Sequence, residues 1–318
     1  HVVDVTMTSM LEWTKLFLIY SKYTYILEDI QLKFGEYKRT ASEWITTLGN
    51  TYFPDYLPSA LDIYRPYITH FFELVDECSS SIELFKRINT LTINKGRIQY
   101  LRIFRKYFAP NLPVEMLKKK NKEKEIIAAY GSEFRKIEIV KKLHSKSEDE
   151  YDKILSAILY EYKDRGKKGY SLTTTFFKWF KLKFPDFDIK GPKSAGTDLQ
   201  LYDYLPKYKK HKTPTDFIIF DKNQKVLAVG YARYDSDRGG SQEDDRIGGN
   251  RDKVTLIRQY NKEQNAKVKV IFLNDGPGLL LGSMWDDYSE IESYGQGIAL
   301  VTTLKMLNKR LTKEWLLS

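Results

Sequence analysis

The sequence contains few residues that could form a covalent cross-link or a zinc site. Its 318 residues include one cysteine, Cys78, and four histidines. A single cysteine cannot form a disulfide within the chain, and the scattered histidines do not have the spacing of zinc ligands. These scarcities exclude an internal disulfide framework and a zinc module, and they favour a reducing cytoplasm as the location.

Long hydrophobic runs are also missing. No stretch approaches the roughly 18 apolar residues that are needed to cross a bilayer, and the short apolar segment 16–20 is flanked by Lys15 and Lys22. The first residues do not follow the order of a signal peptide, which is basic, then apolar, then small. We therefore expect no membrane association.

Composition and charge describe a globular, basic protein. Hydrophobic residues make up 42% of the chain and charged residues 30%, which excludes global disorder. Lysine and arginine number 52 against 42 acidic residues, giving a formal net charge of +10, and there are 23 tyrosines and 17 phenylalanines. A basic chain rich in aromatic residues favours a polyanionic partner.

The first of two expected domains covers residues 1–165. Apolar residues recur there at intervals of three and four, which predicts a helical region. Three prolines in residues 52–67 indicate a loop between helices. Residues 87–113 carry basic side chains between apolar ones, among them Arg102 and Arg105, and this pattern is typical of a basic recognition helix.

The second expected domain covers residues 166–318 and has an alternating pattern. Its predicted elements are a helix at 173–184, strands at 216–221 and 226–234, a helix at 242–261, a strand at 268–273 and a helix at 289–309. This order predicts an α/β (α+β) fold in which a helical N-terminal region precedes a mixed sheet flanked by helices.

Two of these strands are predicted to form an antiparallel hairpin around the turn at residues 222–225. If Phe220 lies opposite Leu227, counting outward places Asp216 opposite Tyr231. Side chains alternate along a strand, so Asp216, Tyr231 and Arg233 would share one face. An acidic and a basic group would thus meet at the open end of the hairpin.

A polar segment, residues 235–246, follows the hairpin and contains several carboxylates beside arginines. Such clustering is unfavourable unless a cation or a phosphate interacts with it. Mg²⁺ binds oxygen ligands from one or two carboxylates together with substrate phosphate and water, which suits phosphodiester hydrolysis. The alternative is that Asp216 merely caps a turn and that the later acidic residues interact favourably with the dipole of the following helix.

At these residues the sequence resembles the PD-(D/E)XK nuclease superfamily, specifically type II restriction endonucleases. Pro214-Thr215-Asp216 matches the Pro-x-Asp element that begins one strand of the family's site. Tyr231-Ala232-Arg233 stands at the position of the Glu-x-Lys element, with Tyr in place of Glu and Arg in place of Lys. The resemblance covers about residues 190–310.

The resemblance implies a Mg²⁺ site whose second acid has moved to the following helix. Glu243 is the preferred candidate, with Asp235 and Asp237 as alternatives, and Asp198 competes with Asp216 as the first ligand. Arg233 would stabilise the charge developing on the phosphate, but it cannot release a proton near pH 7 as a lysine can. Tyr231 would orient water or phosphate, and Asp275 is expected to be structural.

The resemblance further implies a sequence-specific DNA endonuclease of a bacterial or archaeal cytoplasm, acting on double-stranded DNA as a homodimer beside a cognate DNA methyltransferase. Residues 1–165 would then serve in DNA recognition or dimerisation. A non-catalytic DNA-binding protein and a repair-type nuclease of the same superfamily are the alternatives. The predicted DNA contacts are Lys207, Lys209, Lys210, Arg238, Arg102 and Arg105.

Overall fold

A computed structural model describes residues 32–49, 52–92, 96–144, 148–191, 199–209, 212–235 and 242–318, without the side chains of 148, 162–168 and 242–247. These residues divide into a helical unit, 49–167, and a sheet unit, 32–48 with 168–318. The division near residue 165 expected from sequence lies close to this boundary. Residues 32–48 nevertheless join the sheet unit, because Phe34 and Tyr37 are buried in its core.

The helical unit packs around a core of aromatic and aliphatic side chains, including Phe71, Phe85 and Phe104. Cys78 belongs to this core and is 1% exposed. Burial raises the pKa of its thiol. The helices are α1 (Leu57–Glu77), α2 (Ser81–Thr90), α3 (Arg97–Tyr107), α4 (Val114–Leu117), α5 (Glu123–Tyr130), α6 (Ile137–His144) and α7 (Glu148–Lys183), and α7 continues past residue 167 into the sheet unit.

Helix α1 contradicts the loop expected over residues 52–67. Pro58 lies in its first turn, where a missing N–H costs nothing because that N–H has no partner inside the helix. Pro66 lies inside the helix. The helix continues past it because Tyr64, Ile68 and Phe71 bury one face in the core.

The sheet unit contains a mixed sheet of five strands and a separate strand pair. The strands are β1 (Asp188–Lys190), β2 (Leu199–Gln200), β3 (Pro214–Thr215), β4 (Phe217–Phe220), β5 (Val226–Tyr234), β6 (Lys269–Asp275) and β7 (Ala299–Thr302). The sheet order is β1-β4-β5-β6-β7, and β2 pairs with β3. Strands β1, β4 and β5 are antiparallel neighbours, whereas β6 runs parallel to β5 and to β7.

Helices cover both faces of this sheet, which confirms the predicted fold class. The remaining helices are the 3₁₀ helix Phe34–Trp44, α8 (Leu201–Tyr204), α9 (Gln242–Gln264), α10 (Met284–Gly295), α11 (Leu307–Arg310), α12 (Lys313–Leu317) and a second 3₁₀ helix, Pro277–Leu280. The first four pack on one face, where Val229 and Val270 point. The C-terminal part of α7 packs on the other face together with α11 and α12.

The prediction of a helix at 289–309 is wrong for the second half of that range. Helix α10 ends at Gly295, and residues 299–302 form strand β7. All four residues of β7 are buried. A short run that is buried throughout has no periodicity that distinguishes a strand from a helix, and parallel strands buried on both faces are of this kind.

The predicted hairpin forms, but its register changes near the turn. Phe217 lies opposite Gly230 as expected, whereas Phe220 pairs with Val226 rather than with Leu227, across an irregularity between Ile219 and Phe220. The Asp221 carboxylate accounts for this change, because its Oδ1 accepts hydrogen bonds from the backbone N–H groups of Asn223 and Lys225 and thereby shapes the turn. The open end of the hairpin keeps its expected register.

Among the described residues, no helix is long and apolar enough to cross a membrane.

We expect Gly230→Ala to lower the free energy of unfolding by about 1–3 kcal/mol, the usual cost of overpacking a core. A Cβ atom at Gly230 would lie 1.9 Å from the ring of Phe217. Phe217 is fully buried and cannot withdraw without displacing its neighbours. Chemical denaturation measures the change. The control is Gly248→Ala on α9, where a Cβ meets nothing within 4 Å; equal unfolding midpoints for the two variants would refute the expected clash.

Candidate functional site

A cavity of about 360 Å³ lies at the carboxyl ends of β5 and β6. Its volume is in the range of small-ligand pockets, and strand ends of this kind are where α/β sheets usually bind ligands. Polar and charged side chains line it together with aromatic rings. The polar ones from the hairpin, α9 and β6 are Asp216, Arg233, Asn250, Lys253 and Asn274.

Register and alternation explain why these side chains meet. Tyr231 on β5 lies opposite Phe272 on β6, and Arg233 lies opposite Asn274 two residues further along. All four side chains line the cavity. Side chains two apart on a strand share a face, so an aromatic pair and a polar pair follow each other along this wall. The Tyr231 and Phe272 rings stack with their centroids 5.6 Å apart.

Asp216 is held at the cavity by the hairpin backbone. Its N–H donates to the carbonyl of Gly230 at 2.9 Å. Its Oδ2 accepts from the N–H of Ala232 at 2.9 Å. The structure therefore brings Asp216, Tyr231 and Arg233 to one cavity, on the common face expected from the sequence.

Arg233 is oriented by Asp235, whose Oδ1 accepts from Arg233 Nε at 2.6 Å. Asp235 is 4% exposed. The turn after β6 fixes its backbone, because Gly278 donates to the Asp235 carbonyl at 2.9 Å. Gly276 has a φ of +107°, and a Cβ there would lie 2.2 Å from the same oxygen. Asp235 thus orients an arginine, whereas the sequence made it an alternative metal ligand.

Lys253, on α9, is a cavity residue that sequence reasoning missed, as it missed Asn250 and Asn274. Its Nζ donates to Asn250 Oδ1 at 3.0 Å and lies 4.0 Å from the centroid of the Tyr231 ring. Burial lowers the pKa of Lys253; the charge of Asp216 acts against this, and the charge of Arg233 adds to it. One sequence signal could have revealed it, because Lys253 precedes Ile257 and Tyr260 at helical spacing on the buried stripe of α9.

Tyr231 contributes its ring rather than its hydroxyl to this arrangement. The hydroxyl oxygen is buried. Burial raises the pKa of Tyr231, so that the phenol stays protonated. The ring face is in contact with the Lys253 ammonium, a favourable cation–π geometry.

The expected DNA contacts are divided between the two units. In the sheet unit, Lys207 and Lys209 are exposed, and Lys209 Nζ lies 3.2 Å from Glu263 Oε2. In the helical unit, Arg105 Nε donates to the Leu112 carbonyl at 2.7 Å, and Arg102 Nη1 donates to Gln99 Oε1 at 3.1 Å. The arginines of α3 therefore make contacts within their own unit.

Several other expected residues lie outside the described residues. These are Asp198, Lys210, Asp237 and Arg238, and the side chain of Glu243 is likewise not described, although its backbone lies in α9. Within the described ranges, no group of three or more acidic, histidine or cysteine side chains could hold a metal ion.

Asp275 lies on the other face of β6 and binds backbone. Its Oδ1 accepts from the N–H groups of Thr46 and Gly276, both at 2.7 Å, and its Oδ2 accepts from the N–H of Leu304 at 2.9 Å. Burial nevertheless raises the pKa of this carboxyl. These contacts agree with the structural role expected for Asp275. The neighbouring Tyr234 holds the same segment, because its hydroxyl interacts with Thr46 and Leu48.

Comparison with known proteins gives no match: no protein-family model, curated protein or solved structure is detectably similar to the chain.

We expect Arg233→Gln to raise the pKa of Lys253 and Asp216→Asn to lower it further. The first substitution removes a repelling positive charge, and the second removes an attracting negative one. The pH dependence of Lys253 acylation, followed by mass spectrometry in EDTA, measures both shifts. Arg258→Gln, on the same helix, is the control and should leave the Lys253 titration unchanged. Shifts of the opposite sign would contradict the assigned charges.

Proposed function

We propose that this protein is a Mg²⁺-dependent, sequence-specific endonuclease that hydrolyses phosphodiester bonds in double-stranded DNA, as type II restriction enzymes do. One observation carries the proposal: Asp216, at the start of the β4–β5 hairpin, shares a cavity with Lys253 and Arg233. A carboxylate can bind a metal ion, and two neighbouring cations can stabilise negative charge on a phosphate, so this combination suits a metal-assisted reaction at a phosphate. The resemblance of Pro214-Thr215-Asp216 to the nuclease element supports the same reading.

Among the described residues, Asp216 has the carboxylate chemistry of a Mg²⁺ ligand. Mg²⁺ is usually held by one or two carboxylates and completes its shell with water and substrate phosphate. Asp216 supplies one carboxylate at a cavity with room for these ligands. Glu243 is the proposed second ligand, with Asp235 as its alternative. Bound Mg²⁺ would supply charge neutralisation at the scissile phosphate.

Lys253 supplies the lysine that Tyr231-Ala232-Arg233 lacks. The pKa of Lys253 is lower than that of an ordinary lysine. A lower pKa favours exchange of a proton between its Nζ and a reacting group. Arg233 stays charged and attracts the phosphate. We assign proton transfer to Lys253 and charge stabilisation to Arg233, with Tyr231 holding the Lys253 ammonium against its ring.

The wider setting of the proposed enzyme follows the family resemblance. The partner would be double-stranded DNA, bound by a homodimer whose two-fold symmetry matches a palindromic site. The excess of basic residues supports a polyanionic partner. A cognate DNA methyltransferase and a bacterial or archaeal cytoplasm complete the proposal.

A second candidate is a DNA-binding protein that has lost catalysis. The observation in its favour is that Tyr231 and Arg233 stand where the family has Glu and Lys, and that Arg233 is tied to Asp235. A repair-type nuclease is the third candidate, and it would cut without a fixed sequence.

Plasmid cleavage with Mg²⁺ tests these candidates. We expect discrete bands from the wild type, none in EDTA, and loss of at least about 100-fold in rate for Asp216→Ala and for Lys253→Met. Glu243→Gln tests the proposed second ligand and should show a comparable loss. Lys305→Met, at an exposed lysine whose Nζ donates to the Glu43 carbonyl, is the matched control and should keep full activity.

The other outcomes separate the alternatives. Tight DNA binding with no cleavage under any divalent ion would establish the non-catalytic candidate and refute the enzyme. Random nicking would favour the repair-type nuclease. Full activity of Lys253→Met would remove Lys253 from the proposed mechanism while leaving the assignment of Asp216 intact.

A further inference from the structure

Asn274 lies in the cavity wall, and its amide nitrogen has no hydrogen-bond partner among the described residues. Asn274 is 2% exposed and lines the cavity. Its Nδ2 is buried and makes no hydrogen bond to any residue that the structure describes. A buried amide N–H without an acceptor is unfavourable, because it has lost its hydrogen bonds to water and has formed none within the protein.

No hydrogen bond within the described residues satisfies the Nδ2 atom of Asn274. On the same strand, the next residue, Asp275, binds three backbone N–H groups on the opposite face and holds the surrounding segments. The cavity's other described asparagine, Asn250, already accepts from Lys253 Nζ. Asn274 therefore presents at the cavity a donor that no hydrogen bond within the described residues satisfies.

The surroundings of Asn274 favour an anionic acceptor. Arg233 is its register partner on β5, and Lys253 faces the same cavity from α9. Asp216 lines the same cavity and Asp235 pairs with Arg233, but Arg233, Lys253 and the amide remain hydrogen-bond donors that suit an anion with several oxygen atoms. A phosphate group has this character.

We propose that Asn274 is a substrate-binding residue that donates a hydrogen bond from its carboxamide to a non-bridging phosphate oxygen of DNA, beside Arg233 and Lys253. The inference rests on the proposed function and deepens it by assigning the ligand of one side chain. Asn274 would contribute to binding rather than to proton transfer, because a carboxamide does not titrate.

Asn274→Leu is the decisive substitution, because leucine has a similar size and removes the unpartnered amide. We expect its thermal unfolding midpoint without ligand to equal or exceed that of the wild type. Inorganic phosphate should raise the midpoint of the wild type relative to potassium chloride at equal ionic strength, and the variant should lose this rise. The KM for plasmid cleavage should increase about tenfold or more, with a smaller change in kcat.

Two further variants control the experiment. Asn274→Asp keeps the shape and adds a negative charge, so it should lose the response to phosphate completely. Asn308→Leu repeats the asparagine-to-leucine change at an exposed position on α11 and should retain both the response and the KM.

The failures of the two proposals are distinguishable. A wild type that cuts DNA, combined with an Asn274→Leu variant whose KM and phosphate response are unchanged, would overturn the assignment of Asn274 alone. An unfolding midpoint several degrees lower with unchanged ligand responses would assign Asn274 a structural role and overturn it as well. A phosphate response that depends on Asn274 in a protein that never cuts would support the binding site and refute the nuclease.

Discussion

The parallel pairing of β5 with β6 is the constraint on which the candidate site depends. The pairing runs from Ala228 opposite Lys269 to Tyr234 opposite Asp275. Because successive side chains point to opposite faces, it directs Arg233 and Asn274 into the cavity and Tyr234 and Asp275 to the other side. The same two strand ends therefore build a polar site on one face and bind the segment around Thr46 on the other. If β6 shifted by one residue against β5, Asn274 would leave the cavity face and Asp275 would take its place there.

Two cations, Arg233 and Lys253, lie in the cavity beside the Asp216 carboxylate, and other parts of the unit keep them in place. The salt bridge to Asp235 orients Arg233, and the aromatic face of Tyr231 lies against Lys253. Asp235 in turn depends on the close approach of Gly276, where a side chain would collide with its carbonyl. The geometry of two charged groups thus rests on a glycine turn and on an aromatic ring, neither of which carries charge. This is typical of sites whose functional groups must be fixed before a ligand arrives.

The sequence was informative where periodicity extends over many residues and uninformative where contacts are distant. Strand β5 has the bounds expected from its alternation, and the common face of Asp216, Tyr231 and Arg233 followed from counting along one hairpin. Strand β7 was missed because four buried residues carry no period. Lys253 was missed because Asp216, Tyr231 and Arg233 lie on other elements far from it in the chain, and helix α9 brings Lys253 to them only when it packs on the sheet. The helical stretch through Pro66 formed for a similar reason, since core packing outweighed the local signal.

The packing of the helical unit has a practical consequence through Cys78. This is the only cysteine in the chain, it is 1% exposed, and burial raises the pKa of its thiol. The thiolate is the nucleophile that attacks thiol-reactive dyes, so a buried thiol with a raised pKa reacts with them very slowly. A cysteine introduced at an exposed position such as Asp252 would be labelled selectively, with every native residue of the core retained. The wild-type chain should therefore give very little background labelling in site-directed fluorescence or spin-labelling experiments.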